Sequence, residues 1–168
     1  ILEKVTASFL NVSFFSLFME LLIMSLERAM GYVPSERTYA ICIRSHIITV
    51  PGALQPSPLY TVAEYTFDDD WPGFYGKIAY NSLTFTSDIA SRVIEDFKEK
   101  GLDHHTLLVH CHLGKNRSPA VGIALNEIFH LGHDTEELKK TYREANWFIY
   151  DLLIETARKK CTGRDSNF

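Results

Sequence analysis

The 168-residue chain has little cysteine and no surplus of positive charge. Three cysteines are too few, and odd in number, for a disulfide scaffold. That favours a reducing, cytoplasmic setting with at least one thiol free to react. Lys and Arg total 17 against 21 Asp and Glu, a formal net charge of −4. Duplex nucleic acid is held through phosphate neutralisation by a basic face, and a mildly acidic chain offers none. One small basic pocket stays compatible with that balance. Internal repeats, low-complexity tracts and linkers are absent. The length suits one domain over residues 1–168, with its core at about 25–160, and a monomer is expected. Hydrophobic residues at 46% and charged residues at 23% exclude wholesale disorder.

One stretch is nearly free of charge. Between Lys4 and Arg28 only Glu20 is charged, and Val5–Leu26 is long enough to span a bilayer. Thr6, Ser8, Asn11, Ser13, Ser16 and Ser25 interrupt it. A carboxylate near a membrane centre costs roughly 2.5–3.5 kcal/mol on insertion scales. The expectation is therefore buried strand and helix rather than a membrane anchor.

The remainder reads as strands alternating with helices, which predicts an α/β layered fold. Phe9–Phe15 and Glu20–Met24 have strand or helix character. Ser25 caps a short helix, Leu26–Tyr32, that Pro34 ends. Thr38–Arg44 and Val62–Phe67 are strands on either side of a loop marked by Pro51, Gly52, Pro56 and Pro58. Trp71–Thr84 is loop-like. Ser87 caps an amphipathic helix on which Ile89, Val93 and Phe97 recur, and Gly101 stops it. Thr106–His110 is a short apolar central strand. Ser118–Leu131 is a buried helix with Pro119 in its first turn. Asp134 and Glu137 form a capping box for a third helix. Trp147–Lys160 is a fourth.

Chemistry concentrates between the central strand and the buried helix, in His110-Cys111-His112-Leu113-Gly114-Lys115-Asn116-Arg117-Ser118. Five residues separate Cys111 from Arg117. A loop of this length can curl so that successive backbone N–H groups point inward as an anion nest. The following helix adds the positive end of its dipole. The Arg117 fork can meet two phosphate oxygens, and Gly114 permits a turn that a side chain would obstruct. The same field favours the thiolate of Cys111. Such a loop would bind a phosphate dianion and hold a nucleophilic sulfur beneath its phosphorus.

This run resembles the signature loop of cysteine-dependent protein tyrosine phosphatases, in particular the compact dual-specificity branch and its small bacterial relatives. The resemblance extends over Ser25–Glu155, specific in the loop and loose elsewhere. It implies a mixed central sheet flanked by helices on both faces, and a phosphatase domain that needs no metal or organic cofactor. It implies Cys111 as nucleophile and Arg117 as phosphate clamp, with the backbone of His112, Leu113, Gly114, Lys115 and Asn116 as cradle. Ser118 would donate to the departing thiolate, and His110 would be a buried organiser of the loop. The general acid falls at Phe67-Asp68-Asp69-Asp70. Asp69 matches best, with Asp68 and Asp70 as alternatives. Asn146 stands where many dual-specificity domains carry an asparagine, without the usual neighbouring proline.

The substrate implied is a phosphorylated one, a phosphoprotein on base rates. Lys115 and His112 suit a polyanion such as a phosphoinositide, and Asn116 resembles the RNA 5′-triphosphatase branch. Further alternatives are sulfur-transfer or arsenate chemistry on the same loop logic, and a phosphate-binding pseudophosphatase. Cys42 is either a small buried hydrophobe or a redox partner for Cys111. Cys161 is expected to be inert. His104, His105, His130 and His133 lack a metal-ligand spacing and are expected at the surface. The sequon at Asn116 falls within the loop and that at Asn11 in the apolar stretch, and neither is expected to be used.

Overall fold

The computed structural model describes residues 18–69 and 82–162. The strand expected at Phe9–Phe15, and most of the loop expected at Trp71–Thr84, lie outside those residues. In chain order the elements are β1 (Glu20–Ser25), α1 (Leu26–Gly31), β2 (Thr38–Arg44), β3 (Tyr60–Thr66), α2 (Ser87–Lys100), β4 (Thr106–Cys111), α3 (Arg117–Phe129), α4 (Thr135–Thr141) and α5 (Trp147–Thr162). Glu20–Ser25 is a strand, so a helical span across Val5–Leu26 is excluded at its C-terminal end. Among the described residues no helix is long and apolar enough to cross a membrane.

The strands form one sheet in the order β1-β4-β2-β3. Every described pairing is parallel, where a mixed sheet was expected. Parallel neighbours need crossovers, and these are right-handed in nearly all proteins. The connection from β1 to β2 runs one way along the sheet through α1. The connection from β3 to β4 runs back the other way through α2, so the two helices fall on opposite faces. β4 thereby slots between β1 and β2, and each of its residues is buried.

Alternation along the strands separates the two faces. Ile23, Tyr39, Ile41, Ile43, Leu107 and Val109 pack with residues of α2, α3 and α5 in the main core. Met24, Ala40 and Leu108 face the other way, against Ala29 of α1, with Tyr32, Leu54 and Tyr60 partly buried over them. β3 is the edge strand: Tyr65 is buried on the core side, while Val62, Glu64 and Thr66 remain exposed. It runs Tyr60–Thr66 rather than Val62–Phe67.

Several helix ends differ from the sequence reading. Thr86, not Ser87, caps α2, its hydroxyl accepting from Ile89 N at 3.4 Å. Gly101 does end α2, but at φ −95 it is not left-handed. What excludes a side chain there is proximity, because a Cβ would lie 2.3 Å from the Phe97 ring. α3 stops at Phe129 rather than Leu131, with His130 left-handed at φ 53. Asp134 caps α4 as expected, accepting from Glu137 N at 3.0 Å. His104 is buried rather than at the surface, its ring nitrogens within 3.2 Å of Gly101 O and 2.8 Å of Thr61 Oγ1. His133 is half-buried, with Nε2 at 2.8 Å from Met19 O.

Candidate active site

The switch in winding direction leaves a crevice beyond the C-terminal end of β4, where open parallel sheets bind ligands. Strand β4 ends at Cys111 and α3 begins at Arg117, so residues 112–116 must turn sharply between them. Gly114 makes the turn possible. It has φ +72, and a Cβ there would lie 2.5 Å from Ser25 N and 2.6 Å from Met24 C. The loop is anchored to the β1–α1 junction, since Leu26 N donates to His112 O at 3.2 Å.

None of the backbone amides of His112–Asn116 donates to an acceptor among the described residues. Asn116, at the N-cap of α3, makes no side-chain cap hydrogen bond either. Unpaired donors and a helix N-terminus therefore share one concave turn, a combination that favours an anion. The side chains of His112, Leu113 and Lys115 are exposed, so the loop shows them to solvent.

Cys111 and Ser118 are both buried, with Sγ and Oγ 3.2 Å apart. Arg117 is 6% exposed. Its Nη1 donates to Phe67 O at 2.9 Å, and its Nε lies 3.2 Å from Asp69 Oδ2. The second contact is a charge pairing without the linear geometry of a hydrogen bond. The arginine thus ties the start of α3 to the strand end that carries the acidic run.

Asp68 and Asp69 have opposite environments. Asp68 is buried and accepts from Ser45 Oγ at 2.5 Å, Leu83 N at 2.8 Å, His46 N at 3.0 Å and Ile47 N at 3.5 Å. Burial alone would raise its pKa, but those donors outweigh it and hold the carboxyl below its usual range. Asp69 keeps 43% of its side-chain exposure and faces Arg117. Surrounding protein pushes its pKa up, only partly opposed by Arg117 and Asn146. Asp68 is therefore a fixed carboxylate that clamps the 45–48 turn, whereas Asp69 lies beside Arg117 with its pKa raised. Asp70 lies outside the described residues.

Asn146 is more central than its sequence context indicates. Its backbone N–H donates to Asn116 O at 3.0 Å, and its side-chain amide donates to Asp69 O at 3.3 Å. The Asn116 side chain in turn donates to Glu144 O at 2.7 Å. The segment before α5 thus joins the end of the loop to the acidic strand end. A polar residue just before an apolar helix was the available signal, and it reads equally as a simple cap.

His110 is buried, as the resemblance implies, and Cys42 is a small buried residue, one of the two alternatives for it. His110 is 3% exposed, yet among the described residues neither ring nitrogen has a hydrogen-bond partner, so it contacts the loop there through no hydrogen bond of its ring. Its alternation with Val109 and Cys111 places it on the α1 face of the sheet, whereas Cys111 joins the α2–α3–α5 core. Cys42 pairs in register with His110 and shares its face. A disulfide needs converging Cβ vectors, so the sheet separates Cys42 from Cys111 and opposes a redox pair. Among the described residues no group of three or more His, Cys, Asp or Glu is placed to hold a metal ion.

The sequence matches no family model and no curated protein. Among solved structures, the chain is similar to Tk-PTP in its active form. That likeness has 16% identity and a TM-score of 0.48, covering 80% of this chain and 90% of the other. It is also similar to OH1 from the Orf virus, a tyrosine phosphatase with triple substrate specificity. There the identity is 14% and the TM-score 0.41, over 86% of this chain and 83% of the other.

Proposed function

We propose that the protein is a phosphomonoester hydrolase of the cysteine-dependent, protein tyrosine phosphatase type, acting through a cysteinyl-phosphate. The observation that carries this reading is one convergence: Cys111 Sγ beside Ser118 Oγ, under unpaired loop amides and next to the Arg117 guanidinium. A phosphate dianion seated on those amides would present phosphorus to Cys111. The sulfur attacks, the bond from phosphorus to the ester oxygen breaks, and Asp69 gives its proton to that oxygen. Water then attacks the thiophosphate as Asp69 takes back a proton. The S–P bond breaks, and the Ser118 hydroxyl donates to the departing thiolate.

In the substrate-free site, Arg117 is engaged by Phe67 O and Asp69. A dianion would compete for the guanidinium and release Asp69 toward the leaving oxygen. A phosphorylated protein, with phosphotyrosine foremost, is the proposed substrate, met in the cytoplasm by a monomeric enzyme. The raised pKa of Asp69 supports this choice, because a phenol of pKa near ~10 leaves slowly without a proton donor. Retention of both Cys111 and Arg117 argues against a pseudophosphatase.

The test is phosphate release by purified protein from p-nitrophenyl phosphate, phosphotyrosine and phosphoserine peptides, a phosphoinositide and an RNA 5′-triphosphate. Turnover of the phosphotyrosine peptide, lost in Cys111→Ser, is expected. Phosphate or vanadate binding with no turnover of any substrate would establish the non-catalytic reading instead.

A further inference from the structure

A cavity of about 190 Å³ lies on the α1 face of the sheet, behind the candidate active site. Its lining includes His110 and His112 at one side, Arg44 and Thr66 at the strand ends, and Ile48 and Val50 from the following loop. Cys111, Arg117 and Asp69 do not line it. A buried polar side chain makes this a built site rather than a surface dip. His110 is 3% exposed and offers it an imidazole whose nitrogens have no hydrogen-bond partner among the described residues. A buried polar group left unsatisfied is unfavourable, so a partner that completes its hydrogen bonds is favoured there.

The lining also limits the chemistry of the occupant. Arg44 already pairs with Glu64 at 3.0 Å and donates to Gly52 O at 3.4 Å, so its charge is already partnered. Burial, and then the nearby Arg44, push the His110 pKa down to about 4, so the ring is neutral at neutral pH. A neutral imidazole has one donor and one acceptor to offer. Leu26, Ile48 and Val50 supply apolar wall. At roughly 30 Å³ per water the space equals about six waters, or one compact organic molecule.

We propose that this cavity is a second ligand site, for a compact uncharged molecule carrying one hydroxyl or carboxamide on an apolar body. The occupant would touch His110, whose neighbour is Cys111. It would also lie against Ser45, whose hydroxyl donates to Asp68 beside Asp69.

Benzamide is a suitable probe, with toluene and benzoate as controls, read by NMR of ring-labelled histidine in the wild-type protein. Saturable benzamide binding should shift the His110 ring signals. Ile48→Trp and Val50→Trp, which fill the space from exposed or half-buried positions, should each weaken it at least tenfold. Toluene and benzoate should bind at least tenfold more weakly than benzamide. Absence of a saturable His110 shift would overturn the proposal, as would binding that survives both tryptophan variants. Benzoate binding as tight as benzamide would overturn the uncharged ligand class, and equal binding by toluene would overturn the hydrogen-bonding requirement. The readout is binding alone, so failure of the phosphatase reading is distinguishable from failure here.

Discussion

Asp69 Oδ2 stands 3.2 Å from Arg117 Nε, so the proposed acid and the proposed phosphate clamp touch each other in the substrate-free site. The pairing would ordinarily lower a carboxyl pKa, yet burial wins and the net direction is upward. Arg117 is buried and held to Phe67 O, so the aspartate is the partner free to move. Substrate phosphate would replace it on the guanidinium.

Asp69→Asn should cut phosphotyrosine-peptide turnover by about 10²–10⁴, the usual worth of general acid catalysis. p-Nitrophenyl phosphate, with its better leaving group, should lose less. Wild-type activity should fall at high pH as Asp69 deprotonates, and its raised pKa places that fall above the ordinary aspartate range. The variant should lose this alkaline limb in a pH–rate profile. An unchanged profile would remove Asp69 from the mechanism.

Asp68→Asn should act on stability instead. The amide can replace only one acceptor oxygen, and its NH₂ would face donors such as Leu83 N or the Ser45 turn. A loss of about 1–3 kcal/mol is expected at pH 7. Because the folded-state pKa is depressed, the wild-type advantage is fully present above the ordinary aspartate value. It is lost as pH falls through the lower folded value. Denaturant unfolding of both proteins at pH 7 and near pH 2 checks this: the difference should shrink in acid.

Asn146→Ala removes the amide that holds the Asp69 backbone, while the backbone bond from Asn146 N to Asn116 O remains. It should lower kcat and blur the alkaline limb more than it raises KM for phosphate esters. Equal loss with every substrate and an unchanged pH profile would indicate a purely structural role.

The loop and its flanking elements were legible because each residue there has a local reason. Gly114 needs its positive φ, β4 is a short apolar run, and Ser118-Pro119 opens a helix. The order of the sheet was not legible, since periodicity says which face a residue takes and nothing about its neighbour strand. Nor was the contrast between the environments of Asp68 and Asp69. It depends on donors from Ser45 and Leu83, 23 and 15 residues away, that no local pattern reports. His104 was misplaced for the same reason: its partner Thr61 is 43 residues distant.

Iodoacetamide at pH 6 should modify Cys42 most slowly. That thiol is buried, and burial followed by the charge of Glu64 pushes its pKa up to about 12. Cys111 should react fastest and be protected by phosphate, because reagent and anion compete for the same turn. Cys161 is exposed and should show no protection. Mass-spectrometric mapping gives the three rates. Rapid labelling of Cys42, or no protection of Cys111, would contradict the placement of these thiols.

Gly114→Ala tests the cradle without touching a charged or nucleophilic group. The new Cβ would meet Ser25 N and Met24 C at 2.5 and 2.6 Å, and both atoms are backbone at the end of β1. Backbone cannot rotate aside as a flexible side chain does, and φ +72 is itself disfavoured for alanine. The loop must therefore shift, and with it the amides of His112–Asn116. Positive-φ strain alone costs about 1–3 kcal/mol, so a lowered melting temperature is expected with the fold retained. Vanadate or phosphate affinity should fall at least tenfold, because the anion is held by several amides that must point to one centre. Circular dichroism separates loss of fold from loss of binding. A folded variant with wild-type vanadate affinity would show that the 112–116 amides do not form the anion site.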